Sequence, residues 1–146
     1  MKIFLGGTTA GDDYRKDVIP VLIKEKVNFF NPVVDDWTPE AKNIEDIEKE
    51  MCDTHLFVIT KDMSGVYSIA ELVDSAYSPK NTIIFFKLDG FSKHQIKSFE
   101  AIKDLLDGSS KCYNTYFLDT LDDLPFAIKF IKNIDSINNT TAIGDL

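Results

Sequence analysis

The sequence predicts an α/β domain, a doubly wound sheet of five parallel strands with helices on both faces, and three observations carry that reading. Short apolar runs alternate with stretches of helical periodicity almost from end to end, as repeated βα units do. One run, Thr82 to Phe86, is apolar without interruption, as a central strand covered on both faces requires. The length of 146 residues, 44% of them hydrophobic, suits one core and one cleft better than two lobes.

The elements follow in order. Lys2 to Leu5 forms the first strand, closed by the turn Gly6-Gly7-Thr8-Thr9. A helix starts near Asp12 or Asp13 and buries Val18, Ile19, Leu22 and Ile23 at helical spacing. The second strand, Val27 to Phe30, runs into the loop Asn31 to Trp37, after which Thr38 and Pro39 read as an N-cap and a first-turn proline. That helix extends to about Cys52, and the third strand is Leu56 to Thr60. The next helix carries Ile69, Ala70, Val73, Ala76 and Tyr77 and stops at Ser78-Pro79. After the fourth strand, Ser92 to Leu106 reads as a helix ended by Gly108. A short fifth strand, Tyr116 to Leu118, precedes a last helix from Leu121 to about Ile134. The domain therefore spans 1–134, and the polar stretch 135–146 reads as a flexible tail. Five strands so connected suggest flavodoxin-like (Rossmann-like) order, in which ligands sit beyond the carboxyl ends of the strands at the point where the winding reverses. Three loops then matter: Gly6 to Thr9, Asn31 to Trp37, and Asp62 to Glu71.

Charge narrows the partners. A net charge of −8, from 24 acidic and 16 basic residues, argues against nucleic acid and anionic membranes, because phosphate neutralisation needs clustered cations. Arg15 is the only arginine, so a bidentate grip on a phosphate falls to it, to lysines or to backbone amides. Cys52 and Cys112 fit neither a zinc spacing nor a disulfide framework, and His55 and His94 add no ligand cluster, so no metal and no cofactor is expected. No apolar stretch approaches the roughly 18 residues of a membrane span, and the first residues carry no basic leader, so a cytoplasmic protein is expected.

Within the three loops, particular residues bear chemistry. Gly6 and Gly7 let the backbone approach a ligand, while Thr8 and the amides that follow offer donors to a phosphate or sugar oxygen; a plain tight turn is the alternative. The motif is neither a Walker loop nor a dinucleotide fingerprint. Asp35 and Asp36 stand beside the only tryptophan, Trp37, pairing a proton donor or hydroxyl clamp with a stacking surface for a base; the alternative is a polar turn with the indole capping the core. Glu71 admits two readings. Ser68-Ile69-Ala70-Glu71 fits a capping box, a structural task. Placed in the first helical turn after the third strand, the same glutamate faces the expected crevice, ionised and positioned as a glycosyl nucleophile must be. Arg15 reads either as a 5′-phosphate ligand or as part of a solvated helix face.

The ordered set Lys2 to Thr9, Tyr14-Arg15, Asn31 to Pro39, Cys52-Asp53 and Ser64 to Glu71 resembles the nucleoside 2-deoxyribosyltransferase-like family over about the first 90 residues. The resemblance implies a flavodoxin-like protein that cleaves the N-glycosidic bond of a 2-deoxynucleoside and passes the sugar to another base or to water through a glutamate, which Glu71 matches. It implies a nucleoside or nucleotide as small-molecule partner, a homo-oligomer, and a site lined by Gly6 and its neighbours; Asp53 matches an aspartate before the third strand. Better-known transferases carry an Asp six residues and a Gly four residues before the nucleophile, where this sequence has Gly65 and Tyr67. The acid that protonates the leaving base is therefore sought elsewhere, in Asp36 first and otherwise in Asp35 or Asp62. The expected site comprises Glu71 and Asp36 as catalysts, with Gly6, Gly7, Thr8, Arg15, Asn31, Asp35, Trp37, Ser64, Gly65 and Tyr67 on the substrate. Two rivals share the crevice: an N-glycohydrolase acting on a nucleotide or a nicotinamide dinucleotide, and a silent module that binds or sequesters a nucleotide-derived signal.

Overall fold

The computed structural model describes residues 1–144. Five parallel strands, β1 (Lys2–Gly7), β2 (Asn28–Phe30), β3 (Thr54–Ile59), β4 (Asn81–Phe86) and β5 (Thr115–Phe117), stand in the order β2-β1-β3-β4-β5. The helices are α1 (Arg15–Lys24), α2 (Pro39–Met51), α3 (Tyr67–Ala76), α4 (Lys93–Asp107) and α5 (Leu124–Gly144), the last preceded by a 3-10 turn, Leu121–Asp123. This is the flavodoxin-like order expected, and its winding reverses between β1 and β3.

The two-residue period of a strand divides the core. Ile3, Leu5, Leu56, Val58 and Ile83 point to the face covered by α1 and α5, where Val18, Leu22, Leu124, Ile128 and Ile131 meet them. Phe57, Ile59 and Ile84 point to the other face, against Leu72 and Ala76 of α3 and Phe99 and Leu106 of α4. α2 lies outside both clusters and buries no residue of its own. Its start is as expected, with Pro39 in the first turn and Thr38 Oγ1 accepting from the Ala41 amide.

Four expectations need correction. β1 continues two residues past Leu5, because Gly7 still pairs with Val58 on β3. Ile23, expected in the core, is 64% exposed, since of its apolar residues α1 turns only Val18 and Leu22 fully inward. α5 does not end near Ile134 but runs to Gly144, and the expected tail is helical as far as it is described. Its polar residues serve the helix: Thr140 and Thr141 hydroxyls donate to the carbonyls of Ser136 and Ile137, one turn back. Finally, the capping box at Ser68 is absent. α3 begins at Tyr67 after Val66, which leaves Ser68 inside the helix and Glu71 in its second turn.

Candidate active site

A cavity of about 650 Å³ opens beyond the carboxyl ends of β1 and β3, within the range of roughly 300–1,000 Å³ typical of small-molecule sites. Its floor is the end of β1. Gly7 sits at φ +101°, and a Cβ there would stand 2.1 Å from the Val58 carbonyl oxygen, so only glycine lets β1 lie this close to β3. Thr8 continues the seam: its amide donates to Val58 O (2.9 Å), and its hydroxyl accepts from the Thr60 amide (3.0 Å). Gly6, Gly7 and Thr9 therefore reach the cavity, whereas the Thr8 hydroxyl is committed to holding the loop.

Arg15 is the largest fully buried side chain, at 2% exposure, which corrects the reading of a solvated face. Its Nη1 donates to Thr8 O (3.1 Å) and Asp13 Oδ1 (3.0 Å), and its Nη2 to Leu5 O (2.6 Å). Tyr14 complements it by donating to Gly6 O (2.6 Å). Arg15 touches the cavity wall, yet three of its donors already serve the backbone and Asp13, so it reads first as the clasp of the first loop.

The second loop contributes unevenly. Pro32, Val33, Val34 and Trp37 line the cavity, with Trp37 65% exposed at its rim. Asn31 folds its side chain onto the Val33 amide, and Asp35 and Asp36 stand exposed outside the wall. Asp36, expected as the acid, is thus not brought to the cavity, and neither is Asp62, which packs beside Gly11. The charged wall comes instead from α2, through Lys42, Glu45 and Asp46. Burial raises the Glu45 carboxyl above its ordinary range and the neighbouring Glu71 adds to this, while the nearby Trp37 indole and the charge of Lys49 oppose.

Glu71 enters from α3, lines the cavity, and has a side chain only 12% exposed. Its carboxylate pairs with Lys49 of α2, whose ammonium also lies 5.5 Å above the Phe4 ring. Tyr67 and Ser68 share this wall, and Tyr67 is 70% exposed. Ser64 and Gly65 line not the main cavity but an adjoining recess of about 120 Å³, which also touches Gly7, Thr8, Thr9 and Tyr67.

Lys49 is held from beneath. His55 Nε2 meets the Lys49 carbonyl oxygen at 2.9 Å, which can only accept, so Nε2 carries the proton. The bare Nδ1 then accepts from Ser75 Oγ (2.8 Å), and Ser75 Oγ accepts from Thr82 Oγ1 (2.8 Å). This directed chain is buried, and burial drives the His55 pKa down to about 4. Asp53 lies at the opposite end of β3, accepting from the Lys2 amide and the Thr54 hydroxyl and facing the terminal amine of Met1, which is a structural position. Among the described residues no cluster of three or more His, Cys, Asp and Glu could hold a metal, and no helix is long and apolar enough to cross a membrane.

A flavodoxin-order domain with a charged cavity at its switch point defines a small-ligand α/β protein. The chain belongs to the nucleoside 2-deoxyribosyltransferase-like family, whose pattern it matches over residues 1–89. Among solved structures it is similar in fold to the 2-deoxyribosyltransferase of the psychrotolerant bacterium Bacillus psychrosaccharolyticus, with a TM-score of 0.50 and 15% identity over 67% of this chain and 81% of that one. No curated protein matches the sequence.

Proposed function

We propose that the protein cleaves the N-glycosidic bond of a 2-deoxynucleoside or its nucleotide and transfers the sugar to a second base or to water, with Glu71 as nucleophile. The observation that carries this reading is the placement of Glu71. It is largely covered, it lines a cavity large enough for a nucleoside, and Lys49 pairs with its carboxylate and fixes it in place for attack at the anomeric carbon. Trp37 at the rim supplies a face for the base, and the Gly6-Gly7 backbone forms the floor for the sugar. Attack forms a deoxyribosyl ester on Glu71 as the base departs, and a second base or water resolves it. The family to which the chain belongs supports this class of reaction, and the resemblance extends the reading to a homo-oligomer.

A second reading has one observation in its favour. The carboxylate of Glu71 is already engaged by Lys49, an arrangement equally suited to a module that binds a nucleotide-derived ligand without turnover. Incubation with deoxyinosine, thymidine and free adenine, followed by chromatography, separates the two. Transfer or hydrolysis that falls at least 100-fold in Glu71→Gln supports the enzyme. Tight binding with no bond cleavage, unaltered in Glu71→Gln, supports the module.

A further inference from the structure

We infer that Glu45 of α2 is the group that protonates the departing base, an assignment that rests on the proposed reaction. Cleaving an N-glycosidic bond through an ester needs two carboxyl groups in one site, one attacking and one delivering a proton. The aspartates of the second loop do not reach the cavity, whereas Glu45 does, half-buried in the same wall as Trp37. It lies one helical turn before Lys49, whose ammonium binds Glu71, so α2 sets Glu45 and the cation of the nucleophile on one face. Trp37 and Glu45 line the same cavity, which sets the stacking surface for the base beside the proton source.

The environments of the two carboxyls differ in the direction this division of labour needs. Glu71 has a cation bonded directly to it. Glu45 is raised by burial first and by the charge of Glu71 second, against the opposing influence of Trp37 and Lys49. The other charged or titratable groups on the wall are Arg15, Lys42, Asp46 and Tyr67. In the first half-reaction a Glu71 oxygen bonds to C1′ and the C1′–N bond breaks. Its electron pair passes to the base, which takes the Glu45 proton. In the second, Glu45 as carboxylate removes the proton of the incoming base or water as that group bonds to C1′ and the ester bond to Glu71 breaks.

The test compares Glu45→Gln and Glu71→Gln on deoxyinosine and on 7-methyl-2′-deoxyguanosine, whose base leaves as a neutral molecule with no proton supplied. Loss of a general acid costs about 10²- to 10⁴-fold. Glu45→Gln is expected to lose at least 100-fold in kcat/KM on deoxyinosine and under about tenfold on the methylated substrate, while Glu71→Gln loses both. Equal losses on the two substrates in Glu45→Gln, or none on either, overturn the assignment and leave the nucleophile standing. The pH profile on deoxyinosine reads the same point: the parent falls on the alkaline side as Glu45 loses its proton, and a limb that persists in Glu45→Gln overturns the role. Carboxyl NMR titration provides a readout without turnover. Glu45 is expected to titrate above free glutamate and to move down in Glu71→Gln, and an ordinary, unmoved titration overturns the proposal. A parent that cleaves no nucleoside overturns the reaction and this assignment together.

Discussion

The buried His55 makes a stability prediction that is independent of any substrate. In the folded chain its ring is neutral, with Nε2 donating to Lys49 O and Nδ1 accepting from Ser75, and its pKa falls from the ordinary 6.5 to about 4. Above about pH 6.5 the ring is neutral in both states and its contribution is complete. Between there and about pH 4 the unfolded chain takes up a proton that the folded chain refuses, so stability falls as pH falls. Each unit of separation is worth ~1.4 kcal/mol, which makes the loss on the order of 3 kcal/mol across this window. Below about pH 4 the folded form also protonates and the slope from this residue ends. Urea unfolding at half-unit steps from pH 7 to pH 4, on the parent and on His55→Gln, measures it. Carboxylates titrating in the same window act on both proteins and cancel in the difference. The parent is expected to lose about 3 kcal/mol more than the variant between the two ends. Parallel curves for the two proteins would refute the buried neutral ring and the directed chain built on it.

Three further substitutions probe the site. Arg15→Met strands the Leu5 and Thr8 carbonyls and removes the cation paired with Asp13, so a loss of about 3 kcal/mol is expected in chemical denaturation, with Arg15→Lys recovering less than half. Gly7→Ala drives a methyl into the Val58 carbonyl at a backbone angle alanine resists; a cost of about 3 kcal/mol should appear as a lowered thermal midpoint. Trp37→Ala removes an exposed side chain and should leave stability within about 0.5 kcal/mol, while nucleoside affinity by calorimetry weakens about tenfold through the lost stacking surface.

The sheet was legible because strand periodicity and the continuous run of β4 report burial directly, and parallel order follows once strands and helices alternate. The location of the cavity was legible for the same reason, since the three loops are fixed by the connections. Its charged wall was not. The sequence of α2 is dense in Lys and Glu and reads as a solvated helix, and only the three-dimensional placement shows Glu45 and Lys49 turned toward Glu71. Glu71 itself was read against a local pattern, Ser68 to Glu71, that favours a cap. A cation twenty-two residues away in sequence won instead, because an ion pair in a mostly covered place outweighs a bond to one exposed amide. Arg15 was illegible for a related reason: a lone arginine on a helix is usually solvated, and nothing local announces that the Leu5 and Thr8 carbonyls await it. The aspartates beside Trp37 looked catalytic by adjacency alone, and adjacency in a loop fixes no direction.

α2 contributes no buried residue, and it is fastened by Lys49 to Glu71, by the His55 ring to the Lys49 carbonyl, by Lys2 to Glu48, and by Lys80 to the carbonyls of Glu50 and Cys52. The helix that carries most of the cavity's charge is therefore almost uncoupled from the packing that keeps the domain folded. Substitutions along its inner face ahead of those fastenings, at Lys42 and Asp46, disturb no core contact, so ligand preference at this wall can drift, or be engineered, while the melting temperature stays nearly constant. The fold thus separates the residues that selection must protect for foldability from those it is free to rewrite for chemistry.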